Sequence, residues 1–186
     1  MTPNDYSIVK GSIADIVHRI PTFPEFKHLG LEDREEIDLF TRQYPPYSNF
    51  NFVCMFCYDT TEDCQVSILN GNLVVRFRDY VTLEPFYSFL GCNRVADTVE
   101  RLIELSCKQG VSPSLRLIPE TCIRNALGEL DGKFIISEDE DNADYIIDVP
   151  SMIFLSSGRL RNKRQAASKF KRNHPHHSLQ NIELHD

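Results

Sequence analysis

Apolar residues recur along this chain at two periods, and the places where the period changes mark its elements. The clearest alternation lies in Gln65–Leu69 and Leu73–Phe77, which flank Asn70-Gly71-Asn72. An Asn-Gly pair suits a turn that needs positive φ at both central residues, so the spacing predicts a β-hairpin. After Gly91 the period lengthens. Val95, Val99, Leu102 and Ser106 then share one face of a helix predicted from Arg94 to Gln109, and Gly110 supplies its C-terminal stop. Upstream, Ile37, Phe40 and Tyr44 keep helical spacing behind Gly30, Glu32 and Asp33, and Pro45-Pro46 ends that run.

Weaker patterns complete the order. Strands are predicted at Glu25–Leu29, Glu84–Leu90, Ser114–Ile118, Lys133–Ser137 and Tyr145–Asp148, and strand character returns at His177–Leu184. Pro119 opens a short helix, Glu120–Leu127, which Gly128 closes; another helix starts at Pro150, and a last one runs from Gly158 to Asn173. Strands alternating with helices argue for an α/β layer fold. The hairpin is necessarily antiparallel, so the expected sheet is mixed. The organisation expected is an extension over residues 1–22, a domain over 23–157, and a basic helix with a terminal strand over 158–186.

Bulk composition changes this picture little. The chain has 186 residues, 41% hydrophobic and 25% charged, as in ordinary globular domains. No run approaches the roughly 20 apolar residues of a membrane span, and the first residues lack the pattern of a signal peptide. A cytoplasmic protein is the expectation, with its six cysteines reduced rather than paired.

Charge changes it more. The net charge is −7, yet Arg159, Arg161, Lys163, Arg164, Lys169, Lys171 and Arg172 gather +7 without one acid among them. Outside that stretch 13 bases face 27 acids, a balance of −14. Glu138, Asp139, Glu140, Asp141, Asp144 and Asp148 form an acidic run just upstream. The seven bases are the candidate anion site, for phosphates of tRNA or another polyanion. The alternative is a solvated helix packed through Leu160, Ala167 and Phe170, with basic stems covering its sides.

Several stretches carry a family resemblance. They are Phe26-Lys27-His28-Leu29-Gly30-Leu31-Glu32-Asp33, Tyr44-Pro45-Pro46-Tyr47-Ser48, Ala143-Asp144-Tyr145-Ile146-Ile147-Asp148, and Leu155-Ser156-Ser157-Gly158-Arg159-Leu160-Arg161-Asn162-Lys163-Arg164. Together they resemble the phosphatidylglycerol lysyltransferase C-terminal-domain family, and the order of elements is similar to that of the GNAT acyltransferase fold. Most members of that family look like a tandem pair of GNAT units, related to enzymes that take amino acids from aminoacyl-tRNA. The resemblance covers about residues 24 to 184, the first unit plus the basic helix leading into the second. It departs at Ile147, where the family usually has an aromatic residue. It also stops at Asp186, where the second unit, bearing most of the acyl-transfer site, would begin.

The resemblance therefore implies a GNAT-like α/β unit with a mixed, twisted sheet and a C-terminal basic helix. It also implies an aminoacyltransferase-like setting without a complete active site, and it transfers no catalytic residue. Partners implied are tRNA or another polyanion, and a second GNAT-like unit or a second copy. The alternatives are a non-catalytic interaction protein that keeps the fold, and an autonomous acetyl-coenzyme A-dependent acetyltransferase. The last would need a phosphate cradle at the start of the long helix, Phe89-Leu90-Gly91-Cys92-Asn93-Arg94. The glycine signature is absent there, so no cofactor is expected. Cys54-Met55-Phe56-Cys57 has CxxC spacing but no second pair beyond His174 and His177, so burial in the core is expected and no metal. The acidic run lacks a calcium-loop pattern and reads as a solvated turn.

Overall fold

The protein is described by a computed structural model over residues 19–59, 61–155 and 157–180. Those residues fall into two compact units, one ending at Ala143 and one beginning at Asp144.

The first unit is built on the hairpin. Strands β2 (Gln65–Leu69) and β3 (Asn72–Arg78) pair so that Leu69 faces Asn72. This leaves a two-residue turn, Asn70 and Gly71, at φ 56° and 76°, the geometry that the Asn-Gly pair favours. Strand β4 (Pro85–Leu90) pairs with β3, and the short β1 (Lys27–His28) pairs with β2. The order is β1-β2-β3-β4, every pair antiparallel. Parallel pairing among the described residues is confined to two single bridges, Thr22 with Ile68 and Tyr87 with Leu115. The mixed sheet expected from the sequence is thus antiparallel in all its strands, and Ser114–Ile118 contributes one bridge rather than a strand. The backbone reason lies in Leu117, whose φ of 57° is incompatible with extended pairing.

Alternation along the strands sorts two faces. Arg76 sits opposite Tyr87 and Phe77 opposite Phe86. On the Tyr87 face the hydroxyl donates to Gln109 Oε1 at 2.6 Å, at the end of helix α3 (Val95–Gln109). Val95, Val99, Leu102 and Ser106 of α3 are all buried, as the periodicity required, and Gly110 closes the helix at φ 67°. The opposite face carries Phe77, whose ring lies edge-on to Phe50 at 5.9 Å. Phe50 leads into helix α2 (Phe52–Cys57), capped by Asn51 Oδ1 accepting from the amides of Val53 and Cys54. Helix α1 (Arg34–Thr41) buries Ile37. Asp33, fully buried just ahead of it, accepts from Lys27 Nζ at 2.7 Å and from the Gly30 amide at 2.9 Å.

Beyond Pro119 the expected helix is broken into α4 (Glu120–Ile123), a 3₁₀ turn and α5 (Leu127–Leu130). Gly128 lies inside α5 rather than ending it, and Leu130 is buried. The strands expected at Lys133–Ser137 and Tyr145–Asp148 do not form. Their residues have strand propensity, but no sheet edge pairs with them, and propensity without a partner fixes nothing.

The second unit contains α6 (Val149–Phe154), N-capped by Asp148 through the Ser151 amide, and α7 (Arg161–Asn173), entered through a 3₁₀ turn at Gly158–Leu160. Both helices stand where the sequence predicts them. His177–Gln180 forms no strand, and the remainder of that expected strand lies outside the described residues.

Candidate functional site

Helix α7 gathers the predicted basic residues. At about 100° per residue, Arg161, Arg164, Lys169, Lys171 and Arg172 fall within one half of its circumference, and Lys163 falls beside Phe170 on the other. Arg159 sits in the preceding 3₁₀ turn. All seven are exposed, and among the described residues none is in an ion pair. Arg164 donates through Nη1 to the Leu155 carbonyl, tying the helix to the end of α6. The packing expected through Leu160, Ala167 and Phe170 is only partly present: Leu160 is half-buried, while Ala167 and Phe170 are exposed. Phe170 instead meets the rings of His174 at 4.7 Å and His177 at 5.5 Å. Those histidines close the helix end; His174 N–H donates to the Phe170 carbonyl at 2.9 Å.

The second unit also presents an apolar run. Tyr145 and Ile146 are 96% and 98% exposed, and Ile147, Val149, Ile153 and Phe154 are exposed too. No described residue of this unit is buried. Chains seldom leave so many contiguous large apolar side chains in water unless something covers them.

In the first unit, the start of α3 is occupied by the protein itself. Asn72, fully buried, accepts from the Asn93 amide at 3.0 Å and donates to the Asn93 carbonyl at 2.7 Å and to Thr98 Oγ1 at 3.0 Å. The Gly91 amide donates to Cys122 Sγ at 3.3 Å. A Cβ at Gly91, where φ is 140°, would run into the Asn72 side chain, so glycine serves packing against asparagine at this position. Two amides that a phosphate would use are thereby engaged.

Cys54 and Cys57 lie one turn apart on α2. Cys54 is partly buried and Cys57 exposed, so the core burial expected for this pair holds for neither in full. Positions i and i+3 share one face of a helix, and on α2 that face opens towards solvent at Cys57, which the spacing alone does not convey. All described cysteines are free, and no group of three His, Cys, Asp or Glu side chains among the described residues could hold a metal ion. The acidic run forms an exposed 3₁₀ turn at Glu140–Asn142, with Asn142 Nδ2 donating to Asp139 Oδ2 at 2.8 Å.

A feature of the first unit that sequence reasoning misses is a cavity of about 500 Å³ between α2, the β3–β4 turn and Arg116-Leu117. Two guanidinium–carboxylate systems stand beside it. Asp63 receives Arg76 Nη1 at 2.8 Å and also binds Arg78. Burial pushes the Asp63 carboxyl up, but the hydrogen bonds and charges of Arg78 and Arg76 outweigh it and hold it below its usual value. Asp79 receives the amides of Val81 and Thr82, each at 2.9 Å, and Arg116 Nη1 at 2.8 Å. The Thr82 amide, Arg116 and the Val81 amide together bring its pKa down to about 2. The lining residues are scattered from Asn49 to Asn142, a spacing that no short motif could reveal.

No family model matches the chain, and no curated protein matches it either. A solved structure of a conserved protein of unknown function from Bacteroides thetaiotaomicron VPI-5482 is similar, with a TM-score of 0.69 and 21% identity over 85% of this chain. The match takes in 53% of that protein, so this chain spans about half its length. At that identity the likeness is one of fold alone. Among the described residues no helix is long and apolar enough to cross a membrane.

Proposed function

We propose that this chain is a GNAT-like unit of an aminoacyl-tRNA-linked acyltransferase similar to the phosphatidylglycerol lysyltransferase family, without a complete active site of its own. On this reading it supplies a docking surface for a second GNAT-like unit and a basic helix that holds the phosphates of tRNA. The observation that carries the reading is the exposed run from Tyr145 to Phe154 in the same unit as seven bases that no described acid pairs. A protein whose surface were already complete would cover such a run. The order β1, α1, α2, β2, β3, β4, α3, followed by the parallel bridge of Leu115 to Tyr87, also supports it, because a strand–helix–strand crossover begins there.

The test is a titration of unfractionated tRNA into the full chain at several salt concentrations. Four to five phosphate contacts from one face of α7 give a log–log salt slope of about −4, so affinity should fall roughly 100- to 500-fold between 50 and 200 mM salt. Reversing three charges (Arg164→Glu, Lys169→Glu, Arg172→Glu) should abolish binding. Absence of binding at 50 mM salt would sink the tRNA side of the reading, and full binding by the triple variant would remove α7 from it.

A further inference from the structure

The cavity of the first unit is furnished for a ligand that the docking reading does not use. Its anchor is Arg116. The guanidinium lies over the Phe86 ring, 4.8 Å from the centroid, and gives one Nη1 proton to Asp79. Its backbone amide donates to the Tyr87 carbonyl at 3.2 Å. Plane and position are thus fixed, while among the described residues no acceptor meets Nε or Nη2. A planar fork with an open edge matches a carboxylate bidentately. Arg78, by contrast, is spent: Nε and Nη2 serve Asp63, and Nη1 donates to the Leu83 carbonyl at 2.6 Å.

Charge narrows the ligand. Among the lining residues two guanidiniums (Arg78, Arg116) stand against two carboxylates (Asp59, Asp79), so the walls are balanced. A monoanion meets one open fork, whereas a phosphate dianion would meet Asp79 and Asp59 with too little compensation. The remaining walls are apolar: Met55, Phe77, Phe86 and Leu117 line the space, with Tyr58 and Tyr80 exposed at its edge. The volume lies within the range of small-molecule sites. Leu83 and Leu117, both lining residues, hold positive φ of 60° and 57°. Such strain is commonly concentrated at binding sites, where the surrounding structure enforces it.

We propose that this cavity binds a small monocarboxylic acid with an apolar, preferably aromatic, body, its carboxylate on the open edge of Arg116 and its body against Phe77 and Met55. The proposal is independent of tRNA and of any second unit.

The experiment uses the full chain and two matched probes, 3-phenylpropanoate and the neutral 3-phenylpropanamide, followed by calorimetry and by shifts of backbone amides in NMR. The acid should bind saturably, one per chain, at least tenfold more tightly than the amide, with shifts at residues 79–83 and 116–117. Arg116→Gln should reduce acid binding at least tenfold and leave the amide unchanged. Thr61→Trp, at an exposed lining position, should block both probes without lowering the melting temperature. No saturable binding, equal affinity for acid and amide, or acid binding that survives Thr61→Trp would each overturn the proposal. If Arg116→Gln fails to fold, the acid–amide comparison on the native chain decides alone.

Discussion

Single residues of this protein differ in chemistry more than their types suggest, and the cysteines are the plainest case. Burial pushes the Cys64 thiol up to about 12, with Asp59 and Asp63 adding repulsion for a thiolate. Burial likewise raises Cys122 to about 11, against the opposing Gly91 amide. Cys57, Cys92 and Cys107 are exposed. Thiolate is the reactive form, so alkylation with iodoacetamide at pH 8 should modify these three first. Cys64 and Cys122 should react only once the chain is unfolded. Peptide mass mapping checks this, and modification of Cys122 as fast as Cys92 in the native state would contradict it. Asn72 makes the same point without titrating: by sequence it is one residue of a turn, yet its side chain organises the start of α3 through three hydrogen bonds.

Among the elements, the turn between β3 and β4 carries the most concentrated electrostatics. Asp79 is held by two amides and Arg116, and its folded pKa of about 2 lies below the ordinary carboxylate value near 4. A depressed pKa stabilises the fold fully above the unfolded value, and that contribution is lost as pH falls through the folded one. Asp63, also depressed, acts in the same direction. The urea midpoint should therefore decline between about pH 4 and pH 2, and Asp79→Asn should show a lower midpoint at about pH 6 with a shallower decline. An unchanged decline in that variant would assign the acid sensitivity elsewhere. This scale also explains what the sequence could reveal. The hairpin, α3 and α7 are legible because Asn70-Gly71, the Val95–Ser106 stripe and the closely spaced bases are local signals. Lys133–Ser137 and Tyr145–Asp148 mislead because a strand needs an edge to pair with, and edges are tertiary. Leu117 breaks the strand expected at Ser114–Ile118 through a backbone angle that leucine does not announce. The candidate anion-binding residues stand out by composition, whereas the cavity joins Met55, Asp79 and Arg116 through folding alone.

For the whole molecule, charge and burial divide at the same place. Residues 144–186 hold seven bases and four acids, and residues 1–143 hold 13 bases and 23 acids, so one unit is cationic and the other strongly anionic. Among the described residues the buried core runs from Ile20 to Leu130, with Phe134 packed against it, all of it within the first unit. Burial of apolar surface is what stabilises a domain. A chain ended at Ala143 should consequently keep its sheet and melt within about 4 °C of the full chain, a shift worth no more than about 1 kcal/mol. It should also lose all affinity for tRNA at about 50 mM salt, because the remaining surface is anionic and repels phosphates. Circular dichroism melts and filter binding on the two chains measure both. A shortened chain that melts far lower would mean that the first unit draws stability from beyond Ala143. One that still binds tRNA would place the polyanion site outside α7.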